Sequence, residues 1–253
     1  MFRLLKLSPP HGWRAVLWEL AIVTTGVLIA LVAQQWAEAR SWAEKATAAR
    51  VALQAEIVEH HQYAVEWRMV GPCIGAQLDA LEQRLMSPGS KLDPAPAYSE
   101  KYYGEAPHIF AIRTPSRPYG DSVWQATNGE GISSFLRPKE RLELGWHYDQ
   151  ARDADQQNEQ INVVASRLLM LTKPIDLDPG VRMSLLQQIA ELRGQNRWMI
   201  IRTGQLIDHI HKLKMTGPRE EIEKFLATSN TVKHCRSRRL PMLPLVKAMM
   251  PAP

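Results

Sequence analysis

This chain of 253 residues has no Gly-x-Ser-x-Gly elbow, no lysine closing a glycine-rich loop and no His-Glu-x-x-His. Each absence removes a chemistry that needs its residues at fixed spacing. Those chemistries are a strained nucleophile turn, a phosphate cradle, and a zinc site with its general base on one helical face. Cysteine is scarce too: Cys73 and Cys235 are the only two, and no redox Cys-x-x-Cys exists. Gly129-Glu130-Gly131 lacks a third glycine and a preceding strand, so it reads as a turn. From Leu20 to Trp36 there is no charged residue, and from Trp42 to Val70 no glycine or proline. The first gap suits lipid, and the second suits an unbroken helix.

What is present is ordinary in bulk and uneven in placement. Hydrophobic content of 45% and charged content of 23% exclude wholesale disorder. The net charge of +5 is partly local, because Lys233, Arg236, Arg238 and Arg239 fall in a run without acids. That run reads as a solvated tail rather than a phospholipid or nucleic-acid contact.

The apolar run spans about 25 Å as a helix. Trp13 and Trp18 stand at one end, with Trp36 and Trp42 at the other. Indoles favour the headgroup boundary, so the pattern predicts a transmembrane helix over 15–37 in the lipid bilayer. Arg3, Lys6 and Arg14 favour a cytoplasmic segment over 1–14, which exports the rest. A cleaved signal peptide is the rival, since Ala37-Glu38-Ala39 imitates a cleavage site. Glu19 fits the cytoplasmic headgroup level; an alternative is a pilin-like assembly subunit, although the acid is misplaced by one residue for that motif. Gly26, Ala30, Ala33 and Ala37 line one face with small side chains, a seam through which two copies can form a homodimer.

Beyond the anchor the expected fold is all-α, an antiparallel helical bundle with a proline-rich loop. The exported domain is assigned to 38–228, the loop to 87–120, and a basic then proline-rich tail to 229–253. Leu53, Ile57, His60, Ala64 and Trp67 form one stripe, and Gly71-Pro72 is expected to break that helix. A short strand is expected over Ile109–Arg113 and a helix over Asp121–Asn128. Pro138 opens a long helix with Tyr148, Ala151, Asn158 and Ile161 on one face; Asp178-Pro179 opens another. A shorter helix follows Gly217-Pro218, and the stretch from Pro241 is expected to be irregular.

Candidate chemistry is thin. Cys73 and Cys235 are expected to pair if exported, with two buried thiols as the alternative. Glu56 and His60 share a helical face, and Asp208, His209 and His211 cluster. Neither group has the Glu-x-x-His spacing of bundle di-metal sites. Exposed or core-edge histidines are expected, with no metal and no cofactor. Trp124 in Ser122-Val123-Trp124-Gln125 reads as a buried aromatic.

The anchor resembles that of a family of uncharacterised bacterial proteins with a short basic segment and one spanning helix. The likeness lies in Trp18-Glu19-Leu20-Ala21-Ile22-Val23, Gly26-Val27-Leu28-Ile29-Ala30-Leu31 and Gln34-Gln35-Trp36. It extends through Ala49–Glu56, Pro72-Cys73 and Asp121–Ala126. The resemblance implies a bacterial inner-membrane topology with a helical periplasmic domain, and it assigns no activity. The expected function is a membrane-tethered interaction or scaffold protein with an envelope protein as partner. An enzyme or metal-binding protein with a site between loop 87–120 and the bundle, drawing on His60, His147 or Trp124, is the alternative.

Overall fold

A computed structural model describes residues 12–96, 98–100 and 108–250. Arg3 and Lys6, counted above in the basic flank, lie outside the described residues. The fold is all-α. Helix α1 runs from Gly12 to Met86, 75 residues without interruption. Its first part is apolar and long enough to cross a bilayer, and none of that stretch is buried. The same helix then enters the core, with Ala46, Leu53, Ile57, Ala64 and Trp67 packed inside.

The expected break at Gly71-Pro72 does not occur. Proline removes one helical hydrogen bond and crowds the preceding turn, at a cost of about 3 kcal/mol in an isolated helix. Here neighbouring elements supply donors to that region. Asn196 Nδ2 donates to the Gly71 carbonyl at 3.0 Å, and the Leu243 N–H donates to the Met69 carbonyl at 2.9 Å. Gly71 also permits close packing: a Cβ there would lie 2.7 Å from Ile200 Cδ1. Tertiary contacts override the local signal.

Helix α2 covers Ser122–Gly129, and a 3-10 turn follows over Ile132–Phe135. Helix α3 covers Pro138–Arg167 and α4 Pro179–Leu213. Proline opens both long helices where no backbone donor is needed, and the Asp178 carboxylate accepts the Val181 N–H at 2.9 Å. Helix α4 runs antiparallel to α1: Gly217 meets His61 at one end, and Arg193 pairs with Asp79 at 2.8 Å toward the other. It is antiparallel to α3 as well, with His209 beside Glu143 and Arg202 beside Asp153. Helices α1 and α3 are therefore parallel, as Arg50–Glu140 and His60–His147 confirm.

That parallel pair explains the proline-rich segment. Helix α1 ends at the far end of the bundle, and α3 starts at the near end, so the chain must travel the bundle's length between them. The described residues of that segment are held by strand pairing. Strand β1 (Lys91–Leu92) pairs with β4 (Ile175–Asp176), and β2 (Tyr98–Glu100) pairs with β3 (His108–Phe110). The expected strand at Ile109–Arg113 is thus shifted, with Ala111, Ile112 and Arg113 outside it. Ala95, Ile112 and Tyr119 are buried.

The expected tail is also corrected. After α5 (Arg219–Thr228), residues Asn230–Ser237 form helix α6 and Leu245–Met249 form helix α7. Thr231, Val232, Cys235 and Ala248 are buried, so the basic run is the outer face of a packed segment.

Candidate functional site

Two buried polar centres lie where the proline-rich segment meets the bundle. The first joins α1, α3 and the chain before α2. His60 reaches the Gly120 carbonyl through Nε2 at 2.8 Å, and its Nδ1 lies 3.0 Å from His147 Nε2. A carbonyl only accepts, so His60 carries its proton on Nε2, and its Nδ1 then accepts from His147 Nε2–H. His147 Nδ1 is left as a buried acceptor with no partner. Both rings are almost fully buried. Burial pushes the His60 imidazole below its ordinary value and that of His147 down to about 2, so both are neutral.

Beside them, Glu56 gathers three donors. It accepts from Tyr148 Oη at 2.7 Å, from the Val123 N–H at 3.2 Å and from Ser122 Oγ at 3.3 Å. Trp124 stacks on Tyr148, with centroids 5.3 Å apart and planes within 3°. The arrangement clamps the start of α2 onto α1 and α3.

The second centre is Glu66. Its carboxylate is fully buried and takes the Arg117 Nε at 2.8 Å, with Ser229 Oγ also donating to it. Arg117 in turn lies 4.9 Å from the Phe225 ring centroid. Burial lowers the Arg117 guanidinium pKa, but the hydrogen bonds to Glu66 outweigh it and leave the pKa raised. Ser229 Oγ also accepts the Val232 N–H at 3.1 Å and so caps α6. One buried acid thus ties together α1, the proline-rich segment and the C-terminal helices. Arg117→Ala should cost about 3 kcal/mol, because it leaves a buried carboxylate without its counter-charge. Urea denaturation of the variant measures this, and adding Glu66→Gln should restore much of the loss.

A cavity of about 530 Å³ opens next to this centre, lined by Ile112, Ser116, Arg117, Asn162 and Thr231 among others. It lies between the proline-rich segment and the bundle, but none of His60, His147 and Trp124 lines it. Those three meet instead at the first centre. Asp208, His209 and His211 do not converge: His209 turns inward to the Glu143 carbonyl at 3.0 Å, and exposed His211 reaches the Met249 carbonyl. The expected exposed or core-edge histidines are corrected for His60, His61, His147 and His209, all buried. Among the described residues no three His, Cys, Asp or Glu side chains group as metal ligands.

Cys73 and Cys235 are joined in a disulfide, with Cα atoms 6.0 Å apart and a sequence separation of 162. The bond ties α6 to the C-terminal part of α1. Gly26, Ala30, Ala33 and Ala37 are all exposed on α1. At roughly 100° per residue they lie opposite the face that carries Ala46, Leu53 and Ile57 into the core. Sequence reasoning did not single out Glu66, Arg117, Ser229 or Gly120. A signal for Glu66 existed, since a lone acid sits inside the buried run from Ala64 to Trp67.

No protein-family model, curated protein or solved structure matches this chain.

Proposed function

We propose that this chain is a single-pass membrane protein that holds a helical interaction domain at the periplasmic face of a bacterial inner membrane. The observation that carries the reading is the exposed apolar stretch at the start of α1, continuous with the helix on which the domain is built. An exposed run of Leu20, Ile22, Val23, Leu28, Ile29 and Val32 is unstable in water and stable in lipid. The disulfide supports export, because such bonds persist in oxidising compartments.

A scaffold role accords with the shape of the chemistry. The polar centres hold helices and segments together, and both nitrogens of His60 already have partners. Exposed Leu142, Trp146, Trp198 and Ile201 on α3 and α4 offer an apolar surface to an envelope protein. The small-residue face of α1 is open to a second copy, which would leave the two domains on the outside of the pair. The cavity beside Glu66 favours a second reading, a ligand-binding protein or enzyme. Stoichiometric metal in purified protein, lost on His60→Ala, would favour that second reading over the scaffold.

The tether is tested by alkaline carbonate extraction of membranes. The full chain should stay in the pellet, and a chain lacking residues 1–37 should not. Full-length protein released into the supernatant would argue against a spanning helix.

A further inference from the structure

We infer that the near end of the domain, the turn Ile132–Phe135, rests on anionic phospholipid headgroups around the anchor, with the cations at the start of α3 reaching toward them from just above. The inference builds on the spanning reading of α1 and specifies how the domain sits on the membrane. Helix α1 acts as a ruler. Trp36 and Trp42 are six residues apart, or about 9 Å of rise. The headgroup layer on each side of a bilayer is about 5–8 Å thick. With Trp36 at the hydrocarbon edge, Trp42 stands at the outer limit of the headgroups.

The Phe135 ring stacks on Trp42, with centroids 4.6 Å apart and planes within 6°. Its height above the membrane is therefore set by a ring contact. Phe135 is 47% exposed, which suits an aromatic meeting lipid at the interface.

The charges at this end point the same way. Glu44 is held by Arg40 at 3.1 Å, and Glu140 by Arg50 at 2.7 Å. Glu38 takes the Gln34 amide, and Glu143 faces His209. Glu130 adds one more acid close to the turn. Arg137, Lys139 and Arg141 are all exposed; the Arg137 charge acts on Glu140, which is already paired with Arg50. Lys45 lies 4.6 Å over the Trp42 ring, on the same end. Cations in the first turn oppose the dipole of α3 rather than complement it. A lipid phosphate surface supplies the counter-charge that Glu140, shared between Arg50 and Arg137, leaves short.

The test uses the full chain reconstituted in vesicles of phosphatidylcholine with a quarter phosphatidylglycerol. Single cysteines at Phe135→Cys, Leu28→Cys and Met170→Cys carry a fluorophore; the native cysteines are bonded and do not compete. Nitroxide on the lipid headgroup should quench the label at 135 at least twofold more than the label at 170, which lies at the far end of the domain. Ser134→Cys should behave as 135 does, which covers a Phe135 variant that fails to fold. Charge reversal at Arg137, Lys139 and Arg141 together should remove the difference. Labels at 134 and 135 quenched no more than that at 170, while acyl-chain nitroxide quenches Leu28→Cys, would overturn the docking and leave the anchor standing. An unquenched label at 28 would overturn both. Self-quenching between labels at 135 without lipid quenching would put a second copy on this surface instead of lipid, and would also overturn the proposal.

Discussion

Replacing both Cys73 and Cys235 with serine should lower the folding free energy of the detergent-solubilised chain by about 5 kcal/mol. The size comes from the loop. A bond that closes 162 residues removes more conformational freedom from the unfolded chain than any short-range staple does. Both sulfurs are fully buried, and the bond holds α6 against α1 next to Pro72. Its loss also frees the segment whose Leu243 N–H donates to the Met69 carbonyl. Denaturation with and without reductant measures the effect. A serine pair as stable as the oxidised protein would show that the bond adds nothing to the packing.

Acid should destabilise the domain well before its carboxylates titrate. His60 and His147 are neutral when folded, and in the unfolded chain they take up protons below about pH 6.5. The folded pKa is depressed, so the unfolded state binds more protons. Stability is therefore full above pH 6.5 and falls as the pH drops toward the folded values. By pH 5 His147 alone should cost about 2 kcal/mol, and His60 acts in the same direction. His61 adds to this, since burial brings it down to about 4 with His211 nearby. Full protonation would also set two N–H groups against each other across the 3.0 Å contact. Urea titrations at pH 7.5 and pH 5 check the claim, and His147→Gln should flatten part of the dependence. Equal stability at both pH values would mean that water reaches these rings.

The elements that local physics controls were legible in the sequence. Proline at the first turn and an aspartate cap announced α3 and α4, and the stripe Leu53–Ile57–His60–Ala64–Trp67 gave the buried face of α1. What local physics does not control was not legible. Pro72 should end a helix, and it does not because Asn196 and Leu243, 124 and 171 residues away, donate to its neighbouring turn. The basic run at 233–239 reads as tail because charge pattern says nothing about Val232 and Cys235 facing inward. The same limit hid the polar centres. His60 and His147 were each visible as candidates, but their contact depends on α1 and α3 running parallel, which the crossing segment decides. Glu66 finds Arg117 and Ser229 only once three distant parts of the chain meet.

The proposed function rests on that core forming on the outer side of a membrane that α1 crosses. Fusions of alkaline phosphatase and of green fluorescent protein to the C-terminus of the full chain test it directly, because the first is active only outside the cytosol and the second is fluorescent only within it. The account predicts active phosphatase and dark fluorescent protein. A bright fluorescent fusion with inactive phosphatase would put the domain in the cytosol and contradict it.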